Sequence, residues 1–338
     1  MRIMNKKLIP IFFASDDNYL PYLDVAISSL IEHTSQNNFY SIYILNTGLK
    51  DEYKARILLR EQENVKITFY DMSDYIEGIK DKFKAVMHFG IATYYRLFIQ
   101  SLFPQYSKVL YLDCDIVVLR DVAELYDIDL EGNIMGGAVE QFILNTPEYS
   151  FYTKNALGID SSKYVNAGIL IMDLEQFRQN KIEQKFSYLI KHYNFELIDC
   201  DQAYLNFLCM GKVKILPAGW NKTNFPINVD SELNIAHFAL SEKPWQAEVK
   251  NGEYFWHYAR KSKFYDEILA YRQNFTQEAL EKKRQAELNL RKKAVEIANS
   301  YDNMYKKLVL GVLRRAFVSM GLYASDDEGV EIPVYSEV

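Results

Sequence analysis

Apolar runs alternate with amphipathic stretches through the first third of the chain, and few architectures accommodate that alternation. Lys7–Ser15, Ser41–Asn46, Val65–Tyr70 and Lys108–Leu119 are short, nearly continuous apolar runs and read as strands. Between them the period is helical. Tyr19–Thr34 carries Leu20, Leu23, Ile27, Leu30 and Ile31 on one stripe, with Pro21 in the first turn, where proline is tolerated. Glu52–Gln62 and Ile91–Leu102 have the same texture. Strands that are apolar throughout must be covered on both faces. The pattern therefore predicts an α/β fold, a mostly parallel central sheet with helices on both sides. Ligands of such sheets sit in the crevice beyond the carboxyl ends of the strands. Residues 164–174 read as a further strand, and Lys181–Tyr193 and Asp201–Leu208 as helices.

From residue 276 the texture changes. Residues 276–300 form a charged helical stretch without glycine or proline. Residues 301–322 mix Lys306, Lys307, Arg314 and Arg315 with apolar side chains, and 326–338 are acidic. This suggests a main domain over 1–275 and a helical, basic C-terminal segment with an acidic tail over 276–338. Against a formal net charge of −6 for the whole chain, residues 276–322 hold ten basic and five acidic residues. Residues 276–300 are expected to be a solvated helix packed on its own domain or on a dimer mate, and 301–322 to lie on an anionic membrane surface or a partner. The acidic balance excludes a general nucleic-acid binder. The 3 cysteines, Cys114, Cys200 and Cys209, are odd in number and contain no Cys-x-x-Cys, so a disulfide framework is not expected and a reducing, cytoplasmic setting is. Arg2, Lys6 and Lys7 precede an apolar run, but Asp16-Asp17 follows at once. That fits a buried first strand better than a signal peptide. No stretch of about 18 apolar residues marks a membrane span.

Three motifs carry chemistry. The first closes the Lys108–Leu119 run: Tyr111-Leu112-Asp113-Cys114-Asp115-Ile116-Val117-Val118. Aspartates two apart at a strand end point to one side. Together they can hold one hard divalent cation and leave positions open for phosphate oxygens. A bare Asp-x-Asp is more often a pair of turn formers. Here the flanks are deeply apolar, and buried acids need a partner such as a metal. The second motif is Phe12-Phe13-Ala14-Ser15-Asp16-Asp17-Asn18-Tyr19, a strand entering a helix through an acidic turn without glycine. It is not a Gly-rich phosphate loop. Asp16 and Asn18 could hydrogen-bond a base or ribose, while Asp17 or Asn18 is expected to cap the helix. The third runs from His237 to Trp245. A neutral imidazole is a common metal ligand, and Lys243 can neutralise a phosphate. Taken singly, His237 reads better as a surface or packed histidine and Trp245 as core.

Together these motifs resemble glycosyltransferase family 8, the family of the lipopolysaccharide α-galactosyltransferases and glycogenin-like enzymes. The resemblance rests on Ala14-Ser15-Asp16-Asp17-Asn18-Tyr19, Thr93-Tyr94-Tyr95-Arg96, Asp113-Cys114-Asp115, Val165-Asn166-Ala167-Gly168-Ile169, Asp201-Gln202-Ala203-Tyr204-Leu205-Asn206 and His237 through Trp245, in that order. It spans roughly residues 8–260, and ordered motifs are far more specific than any one of them. It implies a GT-A fold and a retaining transfer of a hexose, glucose or galactose, from a UDP-sugar to a glycan acceptor. It implies that Asp113, Asp115 and His237 bind Mn²⁺, or Mg²⁺, with the diphosphate. Asp16, Asn18 and the Ala14 backbone would contact uridine, and Arg96 and Lys243 would counter the phosphates and the sugar. Asn166, Asp201 and Gln202 would line the donor sugar, with Gln202 nearest the anomeric carbon and Glu140 at an acidic sugar contact. The acceptor could be lipopolysaccharide, a wall polymer, a capsule repeat or a glycoprotein glycan. A lipid-linked acceptor would suit a basic tail resting on the inner face of the cell membrane.

Leu240 replaces the family's glycine in the last motif, where glycine lets backbone approach the diphosphate. Ala203 replaces the second aspartate of Asp-Gln-Asp. Retention could proceed by double displacement, which needs a nucleophile such as Asp201, or by a front-face route, which needs none and is favoured. Two other readings exist. A haloacid-dehalogenase-like phosphotransferase would use Asp113 as nucleophile, but that class wants a downstream Gly-Asp pair, which the chain lacks. An inactive UDP-sugar-binding protein is supported only by Leu240 and Ala203.

Overall fold

The computed structural model describes residues 6–77, 91–224, 232–240 and 243–308. The strands of the main sheet are β1 (Lys7–Ala14), β2 (Asn38–Asn46), β3 (Val65–Asp71), β4 (Lys108–Leu112), β6 (Met135–Val139), β7 (Val165–Asp173) and β8 (Val213–Ile215), with β5 (Ile116–Val118) and β9 (Ile235–His237) set apart from it. Their order across the main sheet is β3-β2-β1-β4-β7-β6-β8. Pairing is parallel except at β7, which runs antiparallel to both β4 and β6. Two hydrophobic cores lie on opposite faces. Along β1, Ile9, Ile11 and Phe13 enter one core with the Leu20–Glu32 helix, and Phe12 enters the other. The continuous apolar run of β1 thus serves a sheet covered on both sides.

Two expectations from the sequence need correction. Lys108–Leu119 is not one strand. β4 stops at Leu112, the chain bends through Asp113-Cys114-Asp115, and β5 pairs antiparallel with β9 in a second, 2-stranded sheet. A straight strand would have left Asp115 in the main ladder. The bend instead ties Asp113 N–H to the Gly168 carbonyl (2.7 Å) and the Asp115 carbonyl to Phe238 N–H (2.9 Å). Second, Ile91–Leu102 is not a one-sided α-helix. Ile91–Phe98 winds as 3₁₀ turns, and only Ile99–Leu102 is α-helical. Tyr94, Tyr95, Arg96, Leu97 and Phe98 are buried in succession, which a helix with one apolar stripe cannot achieve.

The C-terminal helix, Gln277–Asn299, is capped by the Thr276 hydroxyl, which accepts from Ala279 N–H at 3.1 Å. Its second half buries Ala294, Ile297 and Ala298. Of the two surfaces expected for 276–300, its own domain or a dimer mate, it packs on the domain, against Pro147–Tyr152 and the turn that follows. The chain then turns back. Asn303 Nδ2 donates to the Asn155 carbonyl (3.2 Å), Lys306 Nζ donates to the Ser300 carbonyl at 3.0 Å, and Met304 and Leu308 are buried. Tyr305 covers Gly158, whose φ is +75° and where an added Cβ would stand 2.5 Å from the ring. Residues 301–308 of the segment expected at a membrane therefore dock on the domain, and 309–322 lie outside the described residues. No described helix is long and apolar enough to cross a membrane.

Candidate active site

Strand order reverses between β1 and β4, so a crevice opens beyond their carboxyl ends. β1 and the turn after it deliver Ala14, Ser15, Asp16 and Tyr19 to one wall, and the bend after β4 delivers Asp113 and Asp115 to the floor. β9 runs beside β5 with His237 opposite Ile116, which brings the imidazole to Asp115. Ligand atoms of Asp113, Asp115 and His237 all lie within 4.8 Å of one another. His237 Nε2 is 3.3 Å from Asp115 Oδ1 and 3.9 Å from Asp113 Oδ2.

The surroundings fit a cation. Asn221 Nδ2 donates to Asn166 Oδ1, which leaves Asn221 Oδ1 to accept from His237 Nδ1 at 2.8 Å. That bond holds the proton on Nδ1 and turns the Nε2 lone pair toward the two carboxylates, as metal-ligating histidines are commonly held. Gly168 is part of the cradle. A Cβ there would stand 2.5 Å from His237 Cε1 and 2.6 Å from Asp113 Oδ2. Burial by itself would lower the His237 pKa, but the Asp115 carboxylate outweighs it and the net direction is upward. Burial by itself would raise Asp115, yet Lys243 and His237 hold its carboxyl well below the usual range.

Arg96 ties the floor together. Its guanidinium meets Asp113 Oδ1 and Asp201 Oδ2, each at 3.1 Å. It also donates to the Ala167 carbonyl and lies 4.1 Å above the Tyr111 ring. Lys243 is buried against Asp115 Oδ2 and the Phe238 carbonyl. Its loop is held by Tyr22 stacked on Trp245, with ring centroids 3.7 Å apart, and by Arg272, which donates to the Pro244 carbonyl at 3.0 Å.

Two cavities meet at this floor and share Thr93, Arg96, Asp113 and Asp115. The first is also lined by Ala14, Asp16 and Tyr19. The second is lined by Glu140, Asn166, Asp201, Gln202 and His237. Of the residues singled out from sequence, Asn18 is exposed and lines neither cavity, and Lys243 reaches the floor only through Asp115. Capping also differs from expectation. Neither Asp17 nor Asn18 caps the Leu20–Glu32 helix. Asp16 Oδ1 accepts Tyr19 N–H at 2.9 Å, and Asp17 Oδ1 accepts Lys50 N–H at 3.1 Å.

Within the second cavity Asn166 bonds Glu140, whose other oxygen accepts Phe142 N–H at 3.1 Å. Gln202 Oε1 accepts Ala167 N–H at 2.9 Å. Burial pushes Asp201 up to about 6 against the pull of Arg96. Leu240 holds φ +55°, in the left-handed region that favours glycine, while its side chain stays 46% exposed. Sequence reasoning named Gly168 only within a motif, without a role, and passed over Asn221 and Asp199. Asp199 had a signal: Asp199-Cys200-Asp201 repeats the Asp-Cys-Asp of the metal motif. Burial pushes its carboxyl up to about 7, Tyr164 and Gln202 oppose, and Asp201 and Glu140 add to the rise.

The model of glycosyl transferase family 8 matches residues 10–248. The chain belongs to that family. A putative glycosyltransferase of Haemophilus influenzae is 30% identical over 71% of this chain and 74% of its own length. The lipopolysaccharide 1,2-glucosyltransferase of Escherichia coli is 24% identical over 72% and 74%. Among solved structures, the bifunctional glycosyltransferase WbbM aligns with a TM-score of 0.69 at 23% identity, over 80% of this chain and 53% of that one. The galactosyltransferase LgtC, solved with donor and acceptor sugar analogs, aligns at 0.59 and 23%, over 75% and 96%. These likenesses show a GT-A type fold. Membership in family 8 makes the chain a glycosyltransferase and removes the phosphotransferase reading.

Proposed function

We propose that this family 8 transferase moves a hexose, glucose or galactose, from a UDP-sugar to a hydroxyl of a glycan acceptor, with retention and with a divalent metal, Mn²⁺ ahead of Mg²⁺. The observation that carries the reading is the Asp113–Asp115–His237 cluster at the junction of two cavities. A nucleotide and its sugar need one compartment each, with the diphosphate at the junction. Asp113, Asp115 and His237 would hold the metal, which when bound supplies positive charge for the diphosphate as the leaving group departs. Asp16 and the Ala14 backbone would hold uridine, with Tyr19 added from the cavity lining and Asn18 nearby. Arg96 and Lys243 would add positive charge behind the metal ligands. Glu140, Asn166, Asp201 and Gln202 would surround the sugar, Gln202 nearest the anomeric carbon.

A front-face route suits these residues. The bond from C1 to the diphosphate oxygen breaks, the acceptor oxygen bonds C1 on the same face, and the acceptor proton passes to the departing oxygen. No protein nucleophile is required. Asp201 is engaged by Arg96, and Gln202 carries an amide, a poor nucleophile. A lipid-linked acceptor such as lipopolysaccharide, and a cytoplasmic position at the inner face of the membrane through 309–322, complete the proposal.

The test is UDP release from UDP-glucose, UDP-galactose, UDP-GlcNAc and UDP-GalNAc, with Mn²⁺ and with EDTA. One hexose donor should be cleaved, EDTA should abolish cleavage, and Asp115→Asn should do the same with the fold intact. Cleavage that survives both EDTA and Asp115→Asn would sink the metal assignment. Absence of both turnover and calorimetric UDP binding would sink the donor assignment.

A further inference from the structure

Asp199 stands at the position before the Cys200–Leu208 helix where an aspartate ordinarily caps the first turn. Its carboxylate caps nothing there. It turns the other way, and Oδ2 accepts from the buried Tyr164 hydroxyl and from Gln202 Nε2, the latter at 3.1 Å. No described residue donates to its buried Oδ1. The next residue, Cys200, is held at φ +46°, a left-handed conformation that costs a cysteine about 1–2 kcal/mol. With that kink, Asp199, Asp201 and Gln202 all line the same cavity. A forgone cap and a strained backbone both cost stability, and strain kept at one place points to function there.

The neighbour shows what the carboxylate does. Gln202 is gripped at both ends of its amide, Oε1 by Ala167 N–H and Nε2 by Asp199. The Ala167 carbonyl in turn accepts from Arg96, which holds Asp113 and Asp201. A flipped amide would set its NH₂ against Ala167 N–H, two donors face to face, so one orientation is enforced. We infer that Asp199, itself held by Tyr164, is a positioning residue that fixes the Gln202 amide and thereby sets the rate of sugar transfer. This rests on the reading that places Gln202 beside the anomeric carbon. Asp199 lies outside the Asp201–Asn206 motif and acts only through Gln202.

The experiment compares kcat, donor KM and calorimetric UDP affinity across variants, with Mn²⁺ present. Asp199→Ala should lower kcat about 10- to 100-fold, the scale for a displaced group beside the reacting atoms, and leave KM and UDP affinity within about threefold. Asp199→Asn keeps an acceptor oxygen for Tyr164 and Gln202 and should recover most of that loss. In a Gln202→Ala background, Asp199→Ala should cost less than about twofold more. Wild-type kcat in Asp199→Ala overturns the inference, as does an equal loss in both backgrounds. Asp199→Leu, of similar volume and without an acceptor, replaces alanine if alanine does not fold. A crystal structure of the variant gives a readout independent of turnover. A Gln202 amide turned away from Ala167 supports the inference, and an unmoved one overturns it. Failure of the wild type to use any donor would defeat the functional reading alone, with the Gln202 orientation still deciding this one.

Discussion

Replacing Asp199 by asparagine should change how the fold responds to pH. Burial, assisted by Asp201 and Glu140, raises this carboxyl from 3.8 to about 7 in the folded protein. An acid raised on folding holds an extra proton in the native state between those two values. Its contribution to stability is therefore full below pH 4 and is lost as pH rises through about 7. At pH 5 the unfolded chain has already ionised and the fold has not. At pH 8 both have, and the fold bears nearly the whole cost of the buried charge. At ~1.4 kcal/mol per tenfold, the difference between the two pH values is about 2–3 kcal/mol. The asparagine side chain of Asp199→Asn carries no such proton. Guanidinium unfolding at pH 5 and pH 8, with EDTA present, should show the wild type losing about 2–3 kcal/mol more than Asp199→Asn between those conditions. The Asp201 carboxyl is also raised, to about 6, but it is present in both proteins and largely cancels. Equal losses in the two proteins would refute the argument that burial keeps Asp199 protonated near neutrality.

Asp24 is fully buried. It accepts Arg60 Nε and Nη2 at 2.9 Å each, and the Ser262 hydroxyl at 2.6 Å. Asp24→Ala leaves a guanidinium and a hydroxyl without their acceptor and should cost about 3–5 kcal/mol by chemical denaturation; a loss below about 1 kcal/mol would refute the buried pair. Leu240→Gly relieves a left-handed leucine, offset by glycine's greater freedom when unfolded, and should stabilise by about 0.5–1 kcal/mol. A destabilised glycine variant would show that the leucine side chain contributes packing. Deleting 309–338 should abolish flotation with anionic vesicles while leaving stability unchanged, because Met304 and Leu308, which dock the segment, remain. Unchanged flotation removes the membrane proposal, and a large loss of stability assigns the tail to the domain.

Periodicity and composition alone determined the α/β class, the burial of the first strand and the helical character of 276–300. Those properties follow from which residues avoid water, and that is written along the chain. Most of the residues that the structure gathers at the candidate site were named in an ordered set of motifs, since each uses a side chain with a chemistry of its own. Tertiary structure decided what distant segments do to one another. Lys108–Leu119 is apolar enough for one strand, and only pairing of β5 with β9 shows that it breaks at Asp113 so that His237 can meet Asp115. Leu240 looked like a departure from glycine, and only the folded backbone shows that its position takes φ +55°, in the left-handed region that favours glycine. Gly168 matters because His237 and Asp113 crowd its missing Cβ, although both are distant from it along the chain. Asp199 reads locally as a helix cap. Its function is decided by Tyr164 and Gln202, which turn its carboxylate away from the helix end and into the site.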